Sequence, residues 1–134
     1  MLGDKIGEMS GATTNKALPA ENGSPKIETA AAGSGTLLGV EGGFQATYQS
    51  VVSADGSIYG ECPNSGLFMT PEGIATFRAT GAGVFTEDGG AKFRGAVYFK
   101  SSVPALVGLN SMCLVYEWDV DAEGTATWNI WEWK

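Results

Sequence analysis

The sequence contains no histidine. That absence removes Ser-His-Asp and Cys-His nucleophile systems, His-rich zinc sites and any imidazole acid–base step. Catalysis by this chain would have to run on carboxylates, tyrosines, lysines, arginines, cysteines or a borrowed cofactor. Cysteine is nearly as scarce, with only Cys62 and Cys113. Two thiols far apart in a chain without an export signal read as reduced, half-buried small residues rather than a bridge. Cations are also few: 8 Lys and Arg stand against 15 Asp and Glu, a formal net charge of −7. That balance argues against a nucleic-acid backbone or an anionic membrane surface as partner. No apolar run approaches the length of a membrane span, and Met1–Gly11 lacks the basic start and apolar centre of a signal peptide. A cytoplasmic, bacterial-type protein is expected.

What the chain does have is 43 % hydrophobic residues, 20 glycines and few helix formers in 134 residues. This length fits a single domain over residues 1–134, able to bury a core without disulfide or metal. Asp4–Thr14 alternates weakly and permits a strand, while residues 15–25, with Pro19, Asn22, Gly23 and Pro25, read as a loop. Ile27–Val40 is extended and small-residued, with glycines that suit sharp curvature or close backbone approach. Its Gly33-x-Gly35 lacks the third glycine and the following helix of a phosphate loop. Glu41-Gly42-Gly43 is read as the next turn.

Further strands follow with a period of two: Phe44–Val52, Ser57–Cys62 resuming at Leu67–Thr70, Ile74–Phe85 and Ala91–Lys100. Asp55-Gly56, Pro71-Glu72-Gly73 and Glu87-Asp88-Gly89-Gly90 punctuate them as turns. Ser102–Asn110 is the one plausible helical piece, held by Leu106 and Leu109. The end of the chain carries all four tryptophans on two β-favouring runs divided by Asp121-Ala122-Glu123-Gly124, a hairpin pattern. In its second arm Trp128 and Ile130 fall on one face, Trp131 and Trp133 on the other. Both faces of that strand are expected to be covered, one by the core and one by a second subunit. A homo-oligomer through the C-terminal strand is therefore expected.

The count is eight or nine strands joined mostly by tight turns, with no long crossover. Such a meander closes to remove its edges. The expected fold is all-β: a closed antiparallel meander barrel of about eight strands, the N-terminal strand pairing with Thr125–Trp133, and one short helical segment.

Gly33-Ser34-Gly35-Thr36-Leu37-Leu38-Gly39-Val40, Arg94-Gly95-Ala96-Val97-Tyr98-Phe99, Leu109-Asn110 and the terminal Ile130-Trp131-Glu132-Trp133-Lys134 resemble a family of uncharacterised small bacterial proteins. That family is grouped with the allene-oxide-cyclase-like barrels. The resemblance covers nearly the whole chain and implies a lipocalin-like meander barrel able to associate as an oligomer. It implies no activity, because no motif carrying the cyclases' catalytic residues is present.

The candidate site residues are polar groups inside otherwise apolar strands: Tyr48, Tyr59, Glu61, Arg78, Arg94, Tyr98 and Glu117. Facing the lumen, a carboxylate with a tyrosine or arginine would orient the polar group of an apolar ligand, and a glutamate there could move protons. Facing outward, the same residues would be cross-strand ion pairs, with Glu61 or Glu117 meeting Arg78 or Arg94. Asp119, Asp121, Glu123 and Gly124 imitate the start of a calcium loop. Ile130 stands where the bidentate glutamate belongs, so an acidic hairpin turn is the reading, with no metal and no cofactor. Three functions remain: a barrel holding a small apolar molecule, an isomerase or cyclase on a lipid-like substrate, and a filled barrel acting as an oligomeric scaffold.

Overall fold

The computed structural model describes residues 1–134 and shows eight strands in a ring. They are β1 (Leu2–Glu21), β2 (Ser24–Leu37), β3 (Val40–Val52), β4 (Ser57–Thr70), β5 (Gly73–Phe85), β6 (Ala91–Ser101), β7 (Leu114–Val120) and β8 (Thr125–Trp133). Each pairs antiparallel with its neighbours in sequence, and β1 closes the barrel on β8, from Leu2 opposite Trp133 to Ala12 opposite Thr125. Alternating sequence thus becomes an inner and an outer wall. Phe44, Phe68, Phe77, Phe93, Val97, Phe99, Trp118, Trp128 and Ile130 are all buried inside.

Two glycine positions show how those large side chains fit. A Cβ at Gly66 would sit 2.3 Å from the Phe77 ring, and one at Gly81 would sit 2.4 Å from the Tyr116 hydroxyl. On the lumen wall, glycine is where an aromatic from across the sheet comes to rest. The mixture of small and large residues therefore describes a barrel filled by its own side chains.

One end is plugged. Between β6 and β7 the chain makes one short 3-10 segment, Val107–Ser111, within the stretch Ser102–Asn110 and one residue beyond it, where a short helical piece was expected. Val103, Leu106 and Leu109 are buried beneath it. Asn110 pins the plug, its Oδ1 accepting the Ser101 N–H at 2.8 Å and its Nδ2 donating to the Ser101 carbonyl at 3.0 Å. The Ser101 hydroxyl in turn donates to the Ile74 carbonyl.

The opposite end is open. There β1 and β2 run on beyond the ring: β1 leaves β8 after Ala12 yet stays paired to β2 as far as Glu21 opposite Ser24. Residues 15–25, expected as a loop, are thus mostly ladder with a tight turn at Asn22-Gly23, both at positive φ. Pro19 is tolerated because this part of β1 is an edge, where no donor is needed on the open side. The next reversal also differs from expectation. The chain turns at Leu38-Gly39, at φ 50° and 76°, while Gly42 and Gly43 lie within β3.

Three turns ring the open end, after β3, β5 and β7, and an aspartate holds each. Asp55 Oδ1 accepts from the Ser57 N–H and hydroxyl, and Asp88 from the Thr86 hydroxyl. Asp121 Oδ1 accepts the N–H groups of Glu123 and Thr125 at 3.0 and 2.9 Å. These bonds hold the Asp55 and Asp88 carboxyls below the usual carboxylate range. Three of the 15 acidic residues thus serve turn chemistry.

Candidate functional site

The open end forms a cup of about 590 Å³. Its tall side is the overhanging hairpin, which contributes Asn15, Ala17, Ile27 and Thr29, and its lower rim is the turns after β5 and β7. The floor is made by inward residues of β3, β4 and β6: Tyr48, Ser50, Ile58 and Phe93. Ser50 and Thr29 are buried, and the Thr29 hydroxyl donates to Asn15 Oδ1 at 2.7 Å. Phe85 stands at the rim with 52 % of its surface exposed.

Below the floor lies a second, smaller space of about 50 Å³. Phe44, Phe77, Phe93, Trp118 and Trp128 enclose it with Ala46, Ala79 and Cys62. Tyr48 and Phe93 border both spaces and so form the partition between cup and interior. Tyr48 is fixed there by the Trp118 indole, whose Nε1–H donates to the phenolic oxygen at 3.0 Å. Around it the rings meet mostly edge to face, Trp118 with Trp128 at 5.9 Å and Phe44 with Trp128 at 5.6 Å between centroids. The Trp128 N–H is the one buried side-chain polar atom without a partner.

Burial pushes the Tyr48 phenol up, partly offset by the Trp118 hydrogen bond. Burial also pushes the Tyr116 phenol up, with Tyr48, Cys62 and Tyr59 adding to it. Cys62 is raised by burial, against the pull of its contact with Ser65. All three groups are protonated at neutral pH, so the interior offers neither a thiolate nor a phenolate.

Of the seven polar residues named from sequence, the lumen receives only Tyr48. Tyr59, Glu61, Arg78, Arg94 and Tyr98 are exposed and Glu117 is half-buried, because each has the outward parity of its strand. Glu61 borders the inner cavity while remaining exposed and makes no ion pair. Arg94 Nη1 bonds Asp119 Oδ1 at 2.7 Å, and its Nε lies 3.9 Å from Glu117 Oε2 across β6 and β7. The lumen reading of Tyr59, Glu61, Arg78, Arg94, Tyr98 and Glu117 as ligand contacts is thereby corrected, while the outward reading, cross-strand ion pairing, describes Arg94 with Glu117. Neighbouring aromatic residues fix the parity: Phe93 and Trp118 turn inward, which turns Arg94 and Glu117 out.

Sequence reasoning missed Asn15, Thr29, Ser50 and Phe85. Ser50 shares the parity of Phe44 and Tyr48, a signal that was available. Asn15 and Thr29 were hidden by reading residues 15–25 as a loop.

No family model matches the chain, and no curated protein matches it. Solved structures do match its fold. A conserved protein of unknown function from Rhodopseudomonas palustris superposes with TM-score 0.82 at 12 % identity, covering 98 % of this chain and 97 % of that one. A protein with unknown function from Clostridium acetobutylicum gives 0.79 at 9 % identity over 98 % of each chain. A beta-barrel like protein from Acinetobacter baumannii gives 0.78 at 12 % identity, covering 100 % of this chain and 96 % of that one. At these identities the likeness is one of fold alone.

Proposed function

We propose that this chain is a non-catalytic binding barrel that takes a small, mainly apolar molecule at its open mouth. The observation that carries the reading is the contrast between the two spaces, about 590 Å³ in the cup and about 50 Å³ behind it. Ligand pockets commonly span roughly 300–1,000 Å³ and combine apolar walls with a few polar groups. The cup has both, with Ile27, Ile58, Phe85 and Phe93 as walls and Asn15, Thr29 and Ser50 as polar contacts. The alternative of an isomerase or cyclase, suggested by the resemblance to allene-oxide-cyclase-like barrels, needs an acid–base group inside. Glu61 and Glu117, the groups considered for it, belong to the outer wall.

Native mass spectrometry of protein purified gently from its expression host tests the reading. A discrete extra mass is expected on the wild type and should be lost from Ala17→Trp, which fills the cup from an exposed position. An extra mass that survives this substitution would place the ligand elsewhere. A wild type bare after gentle purification, and unresponsive to a library of apolar small molecules, would refute the reading.

A second reading concerns assembly, and the outer face of β8 supports it. Leu2 and Trp133 lie opposite each other and are each 57 % exposed, with Trp131 and Val115 paired in the adjoining row. Lys5, paired with Trp131 across β1 and β8, lies over the Trp131 ring at the edge of this strip. What supports a cytoplasmic setting is that both cysteines are free thiols. No helix is long and apolar enough to cross a membrane.

A further inference from the structure

The indole N–H of Trp128 is a donor without an acceptor, in a residue only 4 % exposed that borders the inner cavity. Trp118, beside it, solves the same problem by donating to Tyr48. Indole nitrogen only donates, so whatever satisfies Trp128 must bring an acceptor. The remaining polar groups on the cavity wall are already engaged: the Tyr116 hydroxyl donates to the Thr80 carbonyl and Cys62 Sγ meets Ser65. No cation lines the space, and its one acidic lining residue, Glu61, turns its carboxylate outward. An anionic group would be desolvated there without compensation. The surrounding walls are Phe44, Phe77 and Phe93.

Size narrows the class further. At roughly 10–15 Å³ per water-sized centre, the cavity suits a group of a few non-hydrogen atoms and no more. A whole lipid-like molecule does not fit, whereas its end does. Tyr48 and Phe93 line both spaces and so stand between the floor of the cup and the inner cavity.

We infer that the inner cavity is a subsite for the neutral, oxygen-bearing end of the molecule the cup receives, with the Trp128 N–H donating to a carbonyl or ether oxygen. This rests on the cup being the ligand's entry. The ligand class is then a slender apolar chain ending in a ketone, aldehyde, ester or ether, and neither a carboxylate nor a plain hydrocarbon is retained as well. Tyr48 and Phe93 move aside to admit it.

The test is nuclear magnetic resonance of the wild-type protein labelled with nitrogen-15, titrated with methyl pentyl ketone and, separately, with n-octane. Trp128→Phe assigns the indole signal. Ala79→Val, which narrows the cavity from a wall position, supplies a folded control. A saturable downfield shift of the Trp128 indole proton is expected with the ketone and not with octane. Backbone amides of Asn15, Gly89 and Gly124 around the cup should move in parallel. Ala79→Val should weaken the indole response several-fold and leave the rim response in place.

Rim shifts without the indole shift would overturn the subsite and leave the cup reading standing. An indole shift without rim shifts would keep the subsite and refute entry through the cup. If neither set moves up to the solubility of the ketone, the subsite is overturned. A persistent contact between the Trp128 indole proton and a slowly exchanging water, undisturbed by the ketone, would also overturn it and identify water as the acceptor.

Discussion

Substituting Gly66 by alanine adds one methyl group to a barrel that has left no room for it. The new Cβ would lie 2.3 Å from two carbons of the Phe77 ring and 2.5 Å from a third. Carbon atoms rest about 3.5–4.0 Å apart, so the ring must retreat by roughly 1 Å or more. Phe77 is buried with Phe99 and Trp128 centred 5.2 and 5.1 Å away, and only the small inner cavity offers slack. Overpacking of this kind costs about 1–3 kcal/mol. Backbone strain adds nothing, since Gly66 is not at positive φ. With the ring out of the way, the substitution should instead stabilise by about 0.4–1 kcal/mol through the unfolded chain.

Urea unfolding of a double-mutant cycle separates the two effects. Gly66→Ala should lower the midpoint at unchanged slope, which marks a loss of stability and not of compactness. Against Phe77→Leu, the same substitution should be near neutral, giving a coupling of about 1 kcal/mol or more. A Gly66→Ala protein as stable as wild type would refute the description of the barrel as filled at this level. An equal cost in both backgrounds would show that the ring is not what the methyl group meets.

The plug makes a second prediction: Leu109→Ala removes a fully buried side chain and should cost about 2–5 kcal/mol in the same assay. Tyr48→Phe leaves the Trp118 N–H without its acceptor, costs about 1–3 kcal/mol, and should alter the tryptophan fluorescence. Stability should also fall in alkali. A phenol raised in the folded state binds its proton more tightly there than in the unfolded chain, whose value is the ordinary 10. The stabilisation is complete below about pH 10 and is lost as pH climbs above it, because the unfolded chain releases its protons first. Tyr116→Phe should flatten that slope in thermal melts across alkaline pH. Finally, Trp133→Glu should convert any oligomer seen by light scattering to monomer, and an unchanged mass would remove β8 from the interface.

Alternation made the barrel legible before any coordinates. Phe93, Val97 and Phe99 on one parity of β6, and Trp128 and Ile130 on one parity of β8, declare strands with an inner face, and short turns between them leave a meander. The closure of β1 on β8 followed from the cost of open edges. What the sequence hid were features that depend on partners across the sheet. Leu38 turns at positive φ, a conformation rarely adopted outside Gly, Asn and Asp, so the turn was assigned to the glycines that follow. Pro19 looks like loop punctuation until one sees that this part of β1 has a free edge, and Pro25 stands at the start of β2, before its pairing with β3 begins at Lys26. The candidate site suffered most, since Arg94 and Glu117 attract notice for their charge, and that same charge sends them outward. The residues that shape the cup, such as Thr29 and Ser50, carry no chemical signature until the barrel gathers them at one end.

The most direct test of the central claim is the electron density in crystals of protein purified without denaturation or organic solvents. The protein should show a bound compound lying in the cup between Ala17 and Phe85, with its body above Tyr48 and Phe93 and at most its tip beyond them. Density for an elongated compound running down the barrel axis between Phe44 and Phe99 would contradict it, since that volume would then belong to the ligand and not to the protein's own aromatic side chains.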